Sequence, residues 1–177
     1  MCVIEKSPVL ETRRLVLRSP EVRDAGRIAE LADDFDIARM TLRMPHPYAR
    51  KDADEFVRRV MAQDPQRGAT FLIEHEDEGP VGVIGLFYDA DPFPEMGYWI
   101  GRPFWGRGFA TEACDGVLDW VKHRWGKRAV MAGHFTDNPA SGRVLTKAGF
   151  LYTGEVRTRP SLARGADTDT RMMVWLA

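Results

Sequence analysis

The chain contains little cysteine and little histidine. Its 177 residues include two cysteines, Cys2 and Cys114, and four histidines scattered along the chain. These numbers supply neither a disulfide framework nor the grouped ligands of a zinc site, so we expect no metal cofactor. Cys114 falls within a helical pattern and is predicted to pack in the core.

The chain also lacks long apolar runs and an excess of charge of one sign. No apolar run approaches the roughly 20 residues needed to cross a bilayer, and residues 1–6 lack the apolar core of a signal peptide. A net charge of -1 gives no reason to expect nucleic acid or an anionic membrane as a partner. We therefore expect a cytosolic protein. Arg157, Arg159 and Arg164 form a local basic group, which a solvent-exposed face explains most simply.

The remaining composition is that of one globular domain. Hydrophobic residues make up 44% and charged residues 29% of the chain, and no repeat or linker divides residues 1–177. Apolar alternation predicts a first strand at 15–18, and helical spacing predicts helices at 21–31 and 51–61. Two prolines indicate an irregular loop over 40–50.

The second part of the chain turns to strands. Short apolar runs at 70–74 and 81–87 flank a polar turn and predict a hairpin. A third strand at 95–100 contains Gly97, which indicates a bulge or a close backbone approach. A helix ending at Gly126, a strand, a second helix and two strands follow. This order predicts an α/β fold with a mixed sheet.

Two glycines, Gly106 and Gly108, alternate with other residues between a predicted strand and a predicted helix. A helix start offers unpaired N–H groups and a partial positive charge, and glycine lets the backbone approach an anion closely. Arg107 would add charge, and the Thr111 hydroxyl would cap the helix or reach a phosphate oxygen. A strand-to-helix turn that merely needs glycine is the open alternative. Neither a P-loop nor a dinucleotide fingerprint is present, which disfavours a nucleoside triphosphate or NAD as the ligand.

Four stretches with recognisable motifs occur in a characteristic order. They are Leu10-Glu11-Thr12-Arg13-Arg14-Leu15-Val16-Leu17-Arg18, residues 95–113 with the glycine loop, Asn138-Pro139-Ala140-Ser141, and Lys147-Ala148-Gly149-Phe150. Together they resemble the GNAT superfamily, and within it the branch of the Rim-type ribosomal-protein N-terminal acetyltransferases. The resemblance implies a single-domain GNAT fold over residues 1–177, with a mixed, mostly antiparallel sheet whose central strands splay apart between flanking helices. It also implies acetyl-CoA as cosubstrate.

The resemblance further implies which residues hold acetyl-CoA. The pantetheine arm would pair with the exposed edge of the strand before the glycine loop, and the loop amides would hold the pyrophosphate. Asn138 would contact the pantetheine or fix the cleft, with a role as helix cap as the equal alternative. The cofactor-binding residues implied in this way are Tyr98, Trp99, Ile100, Gly106, Arg107, Gly108, Phe109, Ala110, Thr111, Asn138 and Ser141.

Three positions depart from the family pattern. Trp105 stands where the general signature has Gln or Arg, as is common in the Rim-like branch. Leu145 stands where many relatives carry a Tyr that protonates the departing thiolate. Gly133 stands where relatives that acetylate ribosomal-protein termini would place a glutamate base. These two familiar catalytic roles therefore cannot be transferred to this chain.

Two other residues are the candidate catalytic groups. Glu95 begins the cleft strand and would accept a proton from the amine directly or through water; a solvated strand end or a pair with an arginine is the alternative. Ser141 would donate a proton to the thiolate or contact the cofactor, unless it is an ordinary hydroxyl early in a helix. His134 is a weaker candidate for moving protons near neutral pH.

The sequence thus predicts transfer of acetyl from acetyl-CoA to a primary amine, by direct attack in a ternary complex. The acceptor would be a protein N-terminus or a small-molecule amine. The alternative is a non-catalytic acyl-CoA-binding sensor or interaction module. The segments 40–51 and 158–169 are expected to border the acceptor, and their arginines would favour an acidic one unless they face solvent. The oligomeric state stays open.

Overall fold

The computed structural model describes residues 8–89 and 91–177, and in them eight β-strands form one sheet. The strands are β1 (Leu10–Glu11), β2 (Leu15–Arg18), β3 (Gly68–His75), β4 (Gly79–Phe87), β5 (Glu95–Ile100), β6 (Ala129–Phe135), β7 (Leu151–Ser161) and β8 (Ala166–Leu176). Their spatial order is β1-β2-β3-β4-β5-β6-β8-β7. All neighbouring strands are antiparallel except β5 and β6, which are parallel.

Five α-helices connect these strands in the described ranges. They are α1 (Ala25–Ala32), α2 (Phe35–Ala38), α3 (Arg50–Met61), α4 (Phe109–Trp120) and α5 (Pro139–Lys147). Helix α4 continues as a π-helical turn and stops at Gly126, whose φ of 71° is the left-handed conformation that favours glycine. Single 3-10 turns at Val22–Asp24 and Arg102–Phe104 precede α1 and α4.

The helices cover both faces of the sheet. Because successive side chains of a strand point to opposite faces, Phe71 and Ile73 pack into a core with α4 and α5, whereas Leu72 between them packs with α1 and α3. Cys114 is fully buried in the α4 side of this core, which confirms its predicted packing role.

The central strands β5 and β6 diverge. Strand β5 pairs with β4 along its whole length, but its pairing with β6 is confined to Glu95 with Met131 and Met96 with Ala132. From Gly97 onward the two strands separate, which leaves the β6-facing edge of β5 without a strand partner. The predicted splayed, mixed and mostly antiparallel sheet is confirmed.

The order of elements predicted from the sequence is also confirmed, with two additions and one correction. The strand β1 and the short helix α2 were not predicted. Gly97 lies opposite Gly85 in regular pairing, so a bulge is wrong; a Cβ atom at Gly97 would lie 3.3 Å from the Phe87 ring, which is a close approach. The predicted single domain begins at residue 1, but residues 1–7 lie outside the described residues. The expectation that these first residues form no signal peptide therefore also lies outside the described residues.

Two general properties of the described residues bear on partners. None of their helices combines the length and the apolar character that spanning a membrane requires. In the same part of the chain, no three His, Cys, Asp or Glu side chains come together as metal ligands. The expected absence of a metal cofactor stays a prediction.

Candidate active site

A cavity of about 1550 Å³ opens where β5 and β6 diverge. It is bordered by the glycine loop and the start of α4, by the start of α5, and by the segments before α3 and after β7. The predicted site residues that line it are Glu95, Tyr98, Trp99, Ile100, Gly106, Gly108, Phe109, Ala110, Thr111, Asn138 and Ser141. Arg107 is the predicted site residue that does not.

The glycine loop presents an uncapped helix start to this cavity. Gly106 and Gly108 have φ angles of 74° and 79°, and Gly108 precedes α4 with no side-chain cap. The backbone amides from Gly106 to Thr111 and the Thr111 hydroxyl donate to no acceptor within residues 8–89 and 91–177. Unpaired N–H groups at the positive end of a helix dipole form a site for an anion such as a pyrophosphate.

Glu112 anchors this helix start to the first strands. Its carboxylate accepts hydrogen bonds from the Thr12 hydroxyl, the Arg14 amide and Arg14 Nε, each at 2.7 Å. Burial alone would raise the pKa of Glu112, but these bonds outweigh burial and hold the pKa below its usual range. The carboxylate is thus engaged by Thr12 and Arg14, and it does not cap the loop amides.

The Arg107 side chain lies on the outer surface. Its Nη1 is 2.8 Å from the Glu78 carboxylate, and its guanidinium stacks on the Phe109 ring at 4.8 Å. The hydrogen bond from Arg107 lowers the pKa of Glu78. A contact of this guanidinium with a cofactor phosphate would require the exposed pair to open, and the predicted contribution of the Arg107 charge stays a prediction.

The open edge of β5 is bounded by an indole. Trp105 Nε1 donates to the Ile100 carbonyl at 2.7 Å, so this oxygen is already paired. Because alternate residues of an antiparallel strand direct their backbone groups to the same side, and the Gly101 amide bonds Val81, the backbone groups of Gly97 and Trp99 face β4. The edge that is available for an extended ligand therefore comprises the N–H and C=O groups of Tyr98 and the N–H group of Ile100, and the predicted backbone contact of Trp99 on this edge is wrong. This role of Trp105 was not predicted. Trp105 lies in a loop five residues after Ile100, and such a contact produces no periodic pattern in the sequence.

Helix α5 begins with a side-chain cap. Asn138 Oδ1 accepts the Ser141 amide at 3.2 Å, and Pro139 at the first helical position has no N–H to satisfy. The cap alternative for Asn138 is therefore present, and its contact with the cofactor stays a prediction. Ser141 Oγ lies 2.8 Å from the Tyr98 hydroxyl, which links α5 to β5 across the cleft.

Glu95 is buried and paired with an arginine. Its side chain is 5% exposed, and Arg159 holds its two oxygens at 2.5 and 3.1 Å. Arg159 also bonds Asp89 at 2.9 Å and is 8% exposed, so the solvent-exposed face predicted for it is wrong. A solvated strand end is wrong for Glu95 as well. The arginine pair is present, and the role of Glu95 as a base stays a prediction.

The structure explains why the family's glutamate has no place at Gly133. A Cβ atom there would lie 2.7 Å from Thr170 Cγ2 and 3.1 Å from Met172 Sδ. His134 is also engaged, since its ring nitrogens lie 2.9 Å from the Phe135 carbonyl and from the Tyr152 hydroxyl. Its two nitrogens thus have partners within the fold.

The two segments expected to border the acceptor contact each other. The Leu162 amide donates to the Leu42 carbonyl at 3.0 Å, and Arg164 Nη2 lies 3.3 Å from Met40 Sδ. Parts of both segments line the cavity. Arg164 pairs with Asp137, as Arg157 does with Asp91 and Arg159 with Glu95. The arginines of the later segment, Arg159 and Arg164, are thus paired with carboxylates, and the preference for an acidic acceptor stays a prediction.

Comparison with known proteins agrees with this architecture. A family model described as an acetyltransferase (GNAT) domain matches residues 14–151. The uncharacterised N-acetyltransferase YoaA of Bacillus subtilis (strain 168) is 31% identical over 154 residues, which cover 85% of this chain and 86% of that protein.

Two solved structures share the fold. RimL, a ribosomal L7/L12 alpha-N-protein acetyltransferase in complex with coenzyme A, superposes with a TM-score of 0.83 at 17% identity, over 96% of this chain and 98% of that one. The spermidine N-acetyltransferase of Vibrio cholerae, in complex with CoA and spermine, has a TM-score of 0.76 at 20% identity, over 92% and 95% of the two chains. The chain therefore belongs to the GNAT family of acetyl-CoA-dependent N-acetyltransferases.

Proposed function

We propose that the protein transfers the acetyl group of acetyl-CoA to a primary amine by direct attack within a ternary complex, and that residues 1–177 form one N-acetyltransferase domain. The observation that carries the proposal is the meeting of two features in one cleft. The uncapped start of α4 offers unpaired amides, and the diverging strands β5 and β6 leave an open backbone edge beside them. An anionic ligand with an amide-bearing arm fits both.

Different residues would hold different parts of such a ligand. The amides from Gly106 to Thr111 would bind the pyrophosphate, since they have no partner in the described part of the chain. The backbone N–H and C=O of Tyr98 and the N–H of Ile100 would pair with the pantetheine amides in the manner of an added strand. Asn138 would border the arm from the start of α5. Each contact uses backbone groups or short polar groups that the fold leaves available.

The acceptor would reach the thioester from the side formed by segments 40–51 and 158–169. Holding a neutral amine against the thioester supplies much of the rate without a covalent enzyme intermediate. RimL acts on a protein N-terminus, and the Vibrio cholerae neighbour is a spermidine acetyltransferase. Both acceptors are amines, which supports a protein N-terminus or a small-molecule amine as the acceptor here.

Glu95 is proposed as the group that takes up the amine proton, through water. Its position at the junction of β5 and β6 and its cavity-lining side chain support this role. Glu95→Gln keeps the shape and removes the proton acceptor, so kcat should fall about 100-fold while acetyl-CoA affinity is kept. Asp89→Asn removes the other partner of Arg159 and is the matched control, with kcat near that of the parent. A kcat for Glu95→Gln equal to that of the control would leave Glu95 a structural role only.

The test of the function is turnover with an acceptor panel. Acetyl-CoA is mixed with peptides that have free N-termini, polyamines, aminoglycosides and amino acids, and free thiol is followed over time. Thiol release that depends on one amine class, with the acetylated amine found by mass spectrometry, is the expected result. Tight acetyl-CoA binding without turnover on any amine would instead favour the sensor alternative. The cytosolic location and the absence of nucleic-acid and membrane partners stay predictions.

A further inference from the structure

The two hydroxyl groups of Tyr98 and Ser141 meet inside the cleft. Tyr98 Oη lies 2.8 Å from Ser141 Oγ and 3.3 Å from the Ser141 carbonyl oxygen. Both residues line the cavity, one from the open strand β5 and the other from the first turn of α5. They are 43 positions apart in the chain, so only the fold brings them together.

Either hydroxyl can donate in this hydrogen bond. The hydrogen of Ser141 is available to a ligand in the arrangement in which Tyr98 donates and Ser141 Oγ accepts. Burial raises the pKa of Tyr98 well above its usual value, with a smaller contribution from Cys114, so the phenol is protonated at neutral pH. With its oxygen already accepting, the Ser141 hydroxyl has its own hydrogen free to point into the cleft.

The position of the family's tyrosine offers no such group. Leu145 lies one helical turn beyond Ser141 on α5, but it is 1% exposed and packs in the core shared with α4. It does not line the cavity. Among the hydroxyl groups that line the cavity, those of Ser141 and Tyr98 lie on α5 and β5, the two elements that this hydrogen bond joins across the cleft.

We propose that Tyr98 is a positioning residue that acts through Ser141: it orients and polarises the Ser141 hydroxyl, which protonates the departing CoA thiolate. This inference rests on the proposed function. As the C–N bond forms, the C–S bond breaks and its electron pair goes to sulfur. The sulfur takes the proton of Ser141, whose oxygen takes the proton of Tyr98. The acetylated nitrogen loses one proton through water to Glu95, and this proton then returns through water to Tyr98, which restores both groups.

The kinetic test uses Tyr98→Phe, Ser141→Ala and their double variant. Removal of a general acid costs about 100-fold in kcat, and loss of the hydrogen bond that orients it costs about tenfold. We expect these decreases with an unchanged KM for acetyl-CoA, and a double variant no slower than Ser141→Ala alone. Tyr152→Phe, which removes a hydroxyl bonded to His134, is the matched control with an unchanged kcat.

A second readout does not depend on turnover. The Ser141 hydroxyl should stabilise the thiolate of bound CoA, so the thiol pKa in the complex should be lowest in the parent, higher in Tyr98→Phe and highest in Ser141→Ala. Thiolate absorbance against pH measures it. Burial raises the pKa of the Cys114 thiol, which therefore contributes no thiolate. Glu95 and Arg159 form an ion pair where β5 and β6 diverge, so their opposite charges largely cancel in their effect on the bound thiol.

The outcomes separate this inference from the proposed function. If the parent turns over no amine, the proposed function fails, whatever the bound-thiol pKa shows. If the parent is active and Tyr98→Phe matches it in both kcat and bound-thiol pKa, the role of Tyr98 is overturned. Additive losses in the double variant would also overturn it, because independent groups do not act through one another. Thermal unfolding and CoA titration of each variant identify a loss caused by misfolding.

Discussion

Helices α4 and α5 both begin at the cleft, but their first turns are built in opposite ways. Helix α4 starts at Gly108 with no side-chain cap and with its amides unpaired, whereas α5 starts at Asn138, whose side chain accepts the Ser141 amide. Pro139 removes a further N–H from the start of α5. The N–H groups at the positive end of the helix dipole are thus unpaired at the start of α4 and partly paired at the start of α5.

The difference teaches where each part of the ligand can lie. An anion gains most where several N–H groups are free, so we expect the pyrophosphate at the start of α4. The start of α5 instead contributes a side-chain hydroxyl at Ser141, bonded to Tyr98. Binding and proton transfer would therefore reside on different helices, and variants at the two starts should separate affinity from rate and stability.

Loss of the anchor of α4 should have the largest effect. Glu112→Ala removes the acceptor of three hydrogen bonds from Thr12 and Arg14. We expect the free energy of unfolding to fall by about 3 kcal/mol, because bonds to a charged, largely buried group are strong and leave unpaired donors behind. Urea denaturation measures it, and Glu78→Ala, at an exposed ion pair, is the control with little change.

This loss should depend on pH in a defined direction. The folded-state pKa of Glu112 is lowered, so its stabilising contribution is fully present above the unfolded pKa of about 4.3 and is lost as the pH falls through the lower folded value. The difference between parent and Glu112→Ala should accordingly stay constant near neutral pH and shrink in acid. A difference that grew in acid would contradict the assignment.

Removing a glycine should test the exposed helix start itself. Gly108→Ala forces an alanine into a φ of 79°, which costs about 1–2 kcal/mol. Relief of this strain should move the loop amides and weaken acetyl-CoA binding about tenfold. Gly126→Ala is the matched control, since Gly126 has a φ of 71° at the other end of the same helical stretch and open space around it. It should lose similar stability with normal affinity; equal affinity losses would place the anion elsewhere.

The capped start should respond mainly in stability. Asn138→Ala removes the cap of α5 and should cost about 1 kcal/mol. Asn138→Asp keeps a capping oxygen but removes the amide donor, so it should recover the stability. If the Asn138 amide also donates to acetyl-CoA, calorimetry will find weaker binding in both variants. Recovery of both stability and affinity by aspartate would reduce Asn138 to a cap.

The smallest effect should come from Arg107. Its guanidinium is exposed and paired with Glu78, so Arg107→Ala should weaken acetyl-CoA binding by only a few-fold, corresponding to a surface ion pair. Glu78→Ala should instead raise the affinity at low salt by freeing the guanidinium, and added salt should remove the gain. Titrations at two ionic strengths measure both. An Arg107→Ala loss as large as that of Gly108→Ala would show that the side chain binds the phosphates directly.

Much of the fold and of the cofactor side could be predicted because its signals are local. Apolar periodicity marked the strands and helices, and Gly106 and Gly108 marked the helix start. A pair of Glu95 with an arginine was an open alternative, but the choice of Arg159 could not be predicted, and neither could the hydrogen bond of Tyr98 with Ser141, since these contacts join residues 64 and 43 positions apart. The sequence shows that these residue types are present, but it does not show that they lie next to each other in the fold.

The sequence by itself determined the order of elements and the conformation of the glycine loop, because backbone torsions and side-chain periodicity act over a few residues. Only the tertiary structure decided which polar groups remain unpaired. The divergence of β5 and β6 opened one backbone edge, packing left no room for a side chain at Gly133, and Arg159 engaged Glu95. These outcomes depend on contacts between distant segments, since the partners of polar groups outside regular helices and strands are supplied by the tertiary structure.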